Sequence, residues 1–487
     1  MKNTLFSRIV ASALLVSTLL LTACASDSGD AADTSVKDTS AETTTAAETE
    51  VHDNVPDLDF EGYEFRFLTS KTTSTYCVTV IEEQTGEVLN DAMYERTNTV
   101  ADRFNIKFAP DKIDSDSSVA LTTMRNFINA GDDAYDVCMQ LGRKAFVMTS
   151  EGLFVDLNEV PYIEFDQPWY FNDINDQVNL SDANYLMFGS LNLGIYDMMN
   201  VILFNKTMLD SYSMEDPYEL VQNGTWVFDT VAEMARKATV DTDGDGAMTD
   251  KDQYGFAGRP NSLMPNFLAG SRLRTVEFGK DGIPALITDN EKIFTVFDRV
   301  MNLFRDDGIW YTQTVTANDY YVTNPFFENG QALFADRSLF SISKLRDMDD
   351  DFGIVPFPKY DEKQEEYGAM IEAGGRVTVV PVTAKKLDAI GAVLEALNFY
   401  SWRDVVPAYY EVALKQKYSR DEISSQMFDL VLDSIYYDLG MTMLCETVKD
   451  GIYVPLFRNN ERTLASKIET QLPKVNDVID KAMNAGK

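Results

Sequence analysis

Apolar and polar positions change rhythm along this chain, and the changes divide it. Ile9 to Leu21 is one continuous apolar run behind the basic residues Lys2 and Arg8. From Cys24 to Asp57 the chain is mostly Ala, Ser, Thr, Asp and Glu, with almost nothing apolar. Periodic patterning begins near Leu58. Tyr63 to Leu68 alternates apolar and polar side chains, which predicts a strand. Leu89, Met93, Val100 and Phe104 fall on one face at helical spacing, and Asn105 ends that helix. Ile106-Lys107-Phe108 predicts the next strand. Leu121, Met124 and Ile128 predict a second amphipathic helix, stopping at Gly131. Tyr135 to Leu141 is a short apolar strand, followed by helix over Ala145–Thr149 and a turn at Gly152. Strand and helix alternating in this way predict an α/β domain with a parallel or mixed sheet.

The first run is too short to span a bilayer, starts basic and ends on a small residue, so residues 1–23 read as a secretory signal peptide. Leu21-Thr22-Ala23-Cys24 resembles a bacterial lipobox. That resemblance implies cleavage before Cys24 and lipid on the new N-terminal cysteine; an ordinary signal peptide with an incidental cysteine is the plain alternative. Residues 24–57 cannot bury enough apolar surface to fold and read as a disordered acidic tether. No later segment has enough consecutive apolar residues to cross a membrane. The expected location is the cell membrane, through a lipid anchor facing outside. The tether and the acidic surface point to a single-membrane bacterium, with a periplasmic setting as the alternative.

Composition narrows the function. The chain has 487 residues, 45% hydrophobic and 25% charged, which is globular and long enough for two cores. It carries 78 Asp and Glu against 42 Lys and Arg, a net charge of −36. Such a surface repels phosphate backbones and anionic lipid, which excludes nucleic acid and leaves any membrane attachment to the lipid. Of the 4 cysteines, setting Cys24 aside leaves Cys77, Cys138 and Cys445. An odd number gives no complete disulfide framework, so buried free thiols are expected, with one pair left open. The single histidine, His52, lies in the polar tail. Triads that need a positioned imidazole, and zinc sites built on histidine, are therefore excluded. Asp349-Asp350-Asp351 and Glu365-Glu366 are acidic runs, which are usually solvated faces, not the paired carboxylates of a glycosidase.

Several ordered motifs resemble one family. They are Leu89-Asn90-Asp91-Ala92 with Glu95-Arg96, Asp102-Arg103-Phe104-Asn105-Ile106, and Gly131 to Val137. Gly152-Leu153 with Asp156-Leu157, Leu203-Phe204-Asn205-Lys206, Phe327 to Ala332, Phe352 to Pro358 and Gly374-Gly375 continue the series. In this order, from about Leu58 past Tyr400, they are similar to family 1 extracellular solute-binding proteins of the maltose-binding-protein-like kind. The resemblance implies a two-lobed periplasmic-binding-protein-like (class II) fold hinged around a ligand cleft. The first lobe is expected over 58–193 and 376–487, with a tail that touches both lobes, and the second over 194–375. It further implies no catalysis, a monomer, a sugar or oligosaccharide ligand, and delivery to the permease subunits of an ABC transporter. A lipid-anchored glycan hydrolase and a calcium-stiffened adhesion module are the rival readings.

Sugar faces stack on aromatic rings and sugar hydroxyls need polar side chains. Carried over by motif, the resemblance marks Ser70, Lys71, Gln140, Arg143, Tyr196, Asp197, Asp336, Arg337, Gly374, Gly375 and Arg376 as cleft candidates. Trp169 and Tyr170, after Gln167-Pro168, add an aromatic pair that looks exposed. For each aromatic the plainer reading is packing, and for each charged residue a solvated face. Asp241 to Asp252 separately fits a calcium loop. Asp241, Asp243 and Asp245 fall at positions one, three and five, Gly246 at the sharp turn, Ala247 at the carbonyl position, Thr249 at nine and Asp252 at twelve. Aspartate in place of glutamate at twelve departs from the pattern, and no partner loop follows. The expectation is a lone structural calcium site, against a metal-free acidic turn.

Overall fold

The structure, a computed structural model, describes residues 51–70, 80–113, 117–181, 183–311, 325–342, 345, 348–372, 375–412 and 422–485. Cys24, Lys71, Cys77 and Gly374, with the signal peptide and most of the tether, lie outside the described residues.

The first sheet has strand order β11-β3-β1-β2, with β1 at Tyr63–Ser70, β2 at Ile106–Ile113, β3 at Val137–Leu141 and β11 at Arg376–Val379. β1 runs parallel to β2 and β3, and β11 runs antiparallel to β3. The alternation in β1 sends Phe65 and Phe67 to one face and Leu68 to the other, and all three are fully buried. Phe65 and Phe67 pack in one core with Val100, Phe104, Val393 and Leu397, whereas Leu68 joins Leu121, Met124 and Cys138. Helices thus cover both faces, which buried parallel strands require. Each such aromatic is worth about 1.5–3 kcal/mol relative to exposure. The helix Val88–Phe104 stops where Asn105 takes a left-handed conformation (φ 48°) and its N–H bonds back to Ala101 and Asp102, as Asn does at helix ends.

The second sheet has order β5-β8-β4-β9, with β4 at Asn200–Asn205, β5 at Tyr254–Ala257, β8 at Ala332–Ser338 and β9 at Phe352–Val355. β5 and β8 are parallel, and β4 is antiparallel to both β8 and β9. Asn205 caps the helix that follows β4, accepting from the Met208 amide at 2.9 Å. Phe256, Phe267, Phe304 and Phe334 form its aromatic core.

Two boundaries differ from the sequence reading. Packing begins before Leu58: Arg103 bonds both carboxylate oxygens of Asp53 at 2.7 and 2.8 Å, and Val55 is buried. The end of the 24–57 stretch is therefore docked by one ion pair and one apolar side chain. β2 runs on to Ile113, because β1 offers backbone partners over eight residues whatever β2's side chains are. The C-terminal part packs on both lobes. After the helices Leu387–Tyr400 and Val406–Val412, β12 (Ile435–Tyr436) pairs with β10 (Ala369–Met370) of the second lobe. The last helix, Leu464–Met483, packs against β7 (Pro284–Leu286), which hairpins with β6 (Val276–Phe278), and against the helix Gly142–Met148 of the first lobe.

Candidate ligand cleft at the facing strand ends

Topology fixes where the two lobes meet. β1, β2 and β3 end at Ser70, Ile113 and Leu141, and antiparallel β11 begins beside Leu141 at Arg376. β5, β8 and β9 end at Ala257, Ser338 and Val355, and antiparallel β4 begins beside Ser338 at Asn200. The chain crosses outward through 193–199 straight into β4, and the described residues of the return crossing, Ile371, Glu372 and Gly375, precede β11. Both crossings therefore enter at the carboxyl-end edge of their sheets, and the two edges face each other. Ligands of α/β sheets bind at such edges.

The crossings are bonded to each other. Met199 bridges Ile371, and the Glu372 amide donates to Met198 at 2.9 Å. Gly375 sits in the return crossing, and its carbonyl accepts from the Gly142 amide at 2.9 Å. A Cβ at Gly142 would lie 2.9 Å from the Met443 methyl and 3.2 Å from that carbonyl, so this approach depends on glycine. Met443 belongs to the buried stretch 437–445, which Asp438 anchors to the second lobe by accepting from the Thr275 amide and hydroxyl at 3.0 and 2.7 Å.

At the second-lobe edge a polar network fills the strand ends. Asp336, fully buried, accepts from the Arg259 amide at 2.9 Å and from the Ser262 hydroxyl. Burial holds the Asp336 carboxyl above its ordinary value, against the opposing pull of Arg259. The Arg259 guanidinium reaches Glu372 at 2.7 Å and the Asn200 side-chain oxygen at 3.1 Å. It thereby ties the loop after β5 to the return crossing. A cavity of 410 Å³, lined by Asn261, Asp450, Val454, Pro455, Arg458 and Asn459, opens beside the same loop.

At the first-lobe edge Gln140 is fully buried on β3, and neither of its amide atoms has a hydrogen-bond partner among the described residues. Arg143 and Lys144, opening the next helix, lie beside Glu446, Arg143 at 3.9 Å. Ser70 ends β1 and Arg376, nearly buried, opens β11. Arg337 is buried on β8, with Glu328 at 3.2 Å.

Four candidates sit elsewhere. Trp169 and Tyr170 are buried, not exposed, and belong to the core behind the first sheet. Trp169 donates to Glu395 at 3.0 Å and Tyr170 donates to the same carboxylate. Tyr196 stacks on Tyr409 at 5.8 Å, and Asp197 accepts from the Tyr409 hydroxyl at 2.9 Å. Both anchor the helix Val406–Val412 beneath the outgoing crossing. Arg259, Asn200 and Asn266 are edge residues the sequence reading missed. Gly-Arg-Pro-Asn-Ser between the apolar strand Tyr254–Ala257 and an apolar helix is the signal that marks Arg259; Asn200 and Asn266 carry no such signal.

In the acidic loop, one carboxylate oxygen each from Asp241, Asp243 and Asp252 come within 4.8 Å of one another. Asp245 does not join this group; it accepts from the Ala247 amide at 2.8 Å. Gly246 takes the left-handed conformation (φ 85°) the turn requires. Asp252 is buried and accepts from the amides of Thr242 and Thr249 at 2.8 and 2.7 Å, which lowers its carboxyl below the ordinary value. Cys138 and Cys445 are buried free thiols. Among the described residues no helix is long and apolar enough to cross a membrane.

No protein-family model and no curated protein sequence matches the chain. Solved structures do. A cyclic alpha-maltosyl-1,6-maltose binding protein from Arthrobacter globiformis is 14% identical with a TM-score of 0.57, covering 86% of this chain and 99% of its own. An ABC substrate-binding protein from Listeria monocytogenes, solved with cycloalternan, is 12% identical with a TM-score of 0.55 and covers 86% and 99%. An ABC transporter solute-binding protein from Thermotoga lettingae, bound with alpha-D-tagatose, is 11% identical with a TM-score of 0.54 and covers 86% and 100%. The chain has the two-lobed α/β fold of maltose-binding-protein-like solute-binding proteins.

Proposed function

We propose that the chain is a lipid-anchored, outward-facing solute-binding protein. It captures a carbohydrate between its lobes and hands it to the permease of an ABC importer, and it catalyses no reaction. The observation that carries this reading is the pair of facing strand edges joined by two bonded crossings. Such a joint lets the lobes close over a solute by hinge motion. The likeness in fold to three proteins solved with, or named for, sugars supports a sugar as the solute. The lipobox-like Leu-Thr-Ala-Cys supports anchoring at Cys24.

The acidic loop is proposed as a structural calcium site. Asp241, Asp243 and Asp252 would hold the ion, which favours many hard oxygens, and Thr249 would orient Asp252, to which it donates at 3.1 Å. The ion would pin the loop and take no part in ligand capture.

The test is a thermal-shift series on the full chain with cycloalternan, maltose and D-tagatose. A ligand held by the folded state alone stabilises it by about 2.7 kcal/mol at a hundredfold excess over its dissociation constant. The expected result is a raised midpoint with at least one of the three sugars, and the same sugar recovered intact. No shift with any of them, or a cleaved sugar, overturns the reading.

A further inference from the structure

We infer that the ligand is uncharged, and that Gln140 and Asn266, one from each lobe, are amides that contact it. This inference rests on the carbohydrate-capture reading and narrows it.

Gln140 is the penultimate residue of β3, at the carboxyl-end edge of the first sheet. Asn266 lies one turn into the helix Leu263–Gly270, which follows the β5 loop at the edge of the second sheet. The two are 0% and 1% exposed, and among the described residues all four of their amide oxygen and nitrogen atoms lack a partner. A buried amide left unbonded is unfavourable, and folded proteins satisfy nearly all of them. Both facing edges carry one. Two neighbours on the second-lobe edge repeat the pattern: the Asn200 amide nitrogen and the Ser338 hydroxyl are also buried without a partner. These are neutral groups that both donate and accept, which is what a hydroxyl ligand satisfies.

The charges at the same edges point the same way. Arg259 is engaged by Asp336 and Glu372, and Arg143 and Lys144 by Glu446. These cations are already matched by carboxylates, so an anionic ligand would have to compete with Asp336, Glu372 and Glu446 for them. Neutral hydroxyls would add bonds without breaking any of those pairs.

The shapes of the side chains give a test that separates binding from packing. Methionine replaces Gln140, and leucine Asn266, at nearly constant volume and without polar atoms. A structural amide in either position would make its variant less stable. An amide kept for a ligand leaves the unliganded chain as stable as before or more so, because the unbonded polar atoms are gone. The experiment measures the unliganded melting midpoint and the affinity of full-chain wild type, Gln140→Met and Asn266→Leu by calorimetry. The probes are cycloalternan, maltose, D-tagatose, trigalacturonate and trialanine. We expect a neutral sugar to bind the wild type at least tenfold more tightly than trigalacturonate or trialanine. Each variant should lose at least tenfold in affinity for that sugar with an unlowered midpoint. Should either variant fail to fold, Gln140→Asn withdraws the amide by one methylene and Asn266→Ser replaces it with a shorter hydroxyl, and these are read by the same tenfold loss of affinity alone. Unchanged affinity in both variants, or preference for trigalacturonate, overturns this inference and leaves carbohydrate capture standing. Binding of trialanine alone, or of no probe, overturns both.

Discussion

Glu395 shows how far a single residue departs from its sequence surroundings. It sits mid-helix among Ala, Val and Leu and is 1% exposed, yet it gathers Trp169 and Tyr170 from 225 residues away. Burial pushes its carboxyl from 4.5 up to about 7, although the hydrogen bonds from Tyr170 and Trp169 pull the other way. The folded chain thus holds a proton between those values that the unfolded chain has released. The resulting stability is fully present below 4.5 and is lost as the pH rises through 7. Its size is on the order of 3 kcal/mol. Glu395→Gln should therefore flatten the fall in urea midpoint between about pH 5 and pH 8. It should also leave sugar affinity unchanged, since the residue lies behind the first sheet. A variant with the wild-type pH slope would show that the carboxyl is ionised throughout.

Among the elements, the acidic loop is one whose geometry follows from local spacing: Asp241, Asp243, Gly246 and Asp252 lie within twelve residues, and their three carboxylates converge. Calcium should raise the melting midpoint of the wild type relative to chelator, and Asp241→Asn, which removes the charge at the first position, should abolish most of that rise. A wild type indifferent to calcium makes the loop a metal-free turn held by its own hydrogen bonds. The strands were legible for the same local reason. Phe65 and Phe67 announce β1, and Asn105 marks the helix end that it makes. What periodicity could not show is pairing at a distance. The outer half of β2 is exposed and polar, and it is a strand only because β1 lies beside it. Trp169 and Tyr170 look like cleft aromatics until the helix carrying Glu395 covers them. Gln140 was marked through its motif, whereas Asn266 lies in an apolar helix and shows its interest only once its amide is seen to lack a partner.

For the whole molecule the net charge of −36 is the dominant long-range fact. Unmatched charge of one sign destabilises the compact state by self-repulsion, and exposed ion pairs such as Arg125–Glu151 recover little of it, typically 0–1 kcal/mol each. Two contributions therefore push stability the same way as pH falls from 8 toward 5. Surface repulsion weakens as carboxylates near the surface begin to protonate, and Glu395, whose carboxyl burial holds up at about 7, stays protonated in the folded state to a higher pH than in the unfolded chain. Salt separates them. The screening length shrinks from about 10 Å at 0.1 M to about 3 Å at 1 M, which removes repulsion between exposed charges but barely reaches buried groups. Sodium chloride should therefore raise the urea midpoint at pH 8 more than at pH 5, and narrow the gap between the two without closing it. The residual gap at high salt is the share held by buried carboxyls, and Glu395→Gln should shrink that residue further. A midpoint independent of salt at both pH values would mean that the surface charges are matched by near neighbours. Any pH dependence would then belong to the buried groups alone.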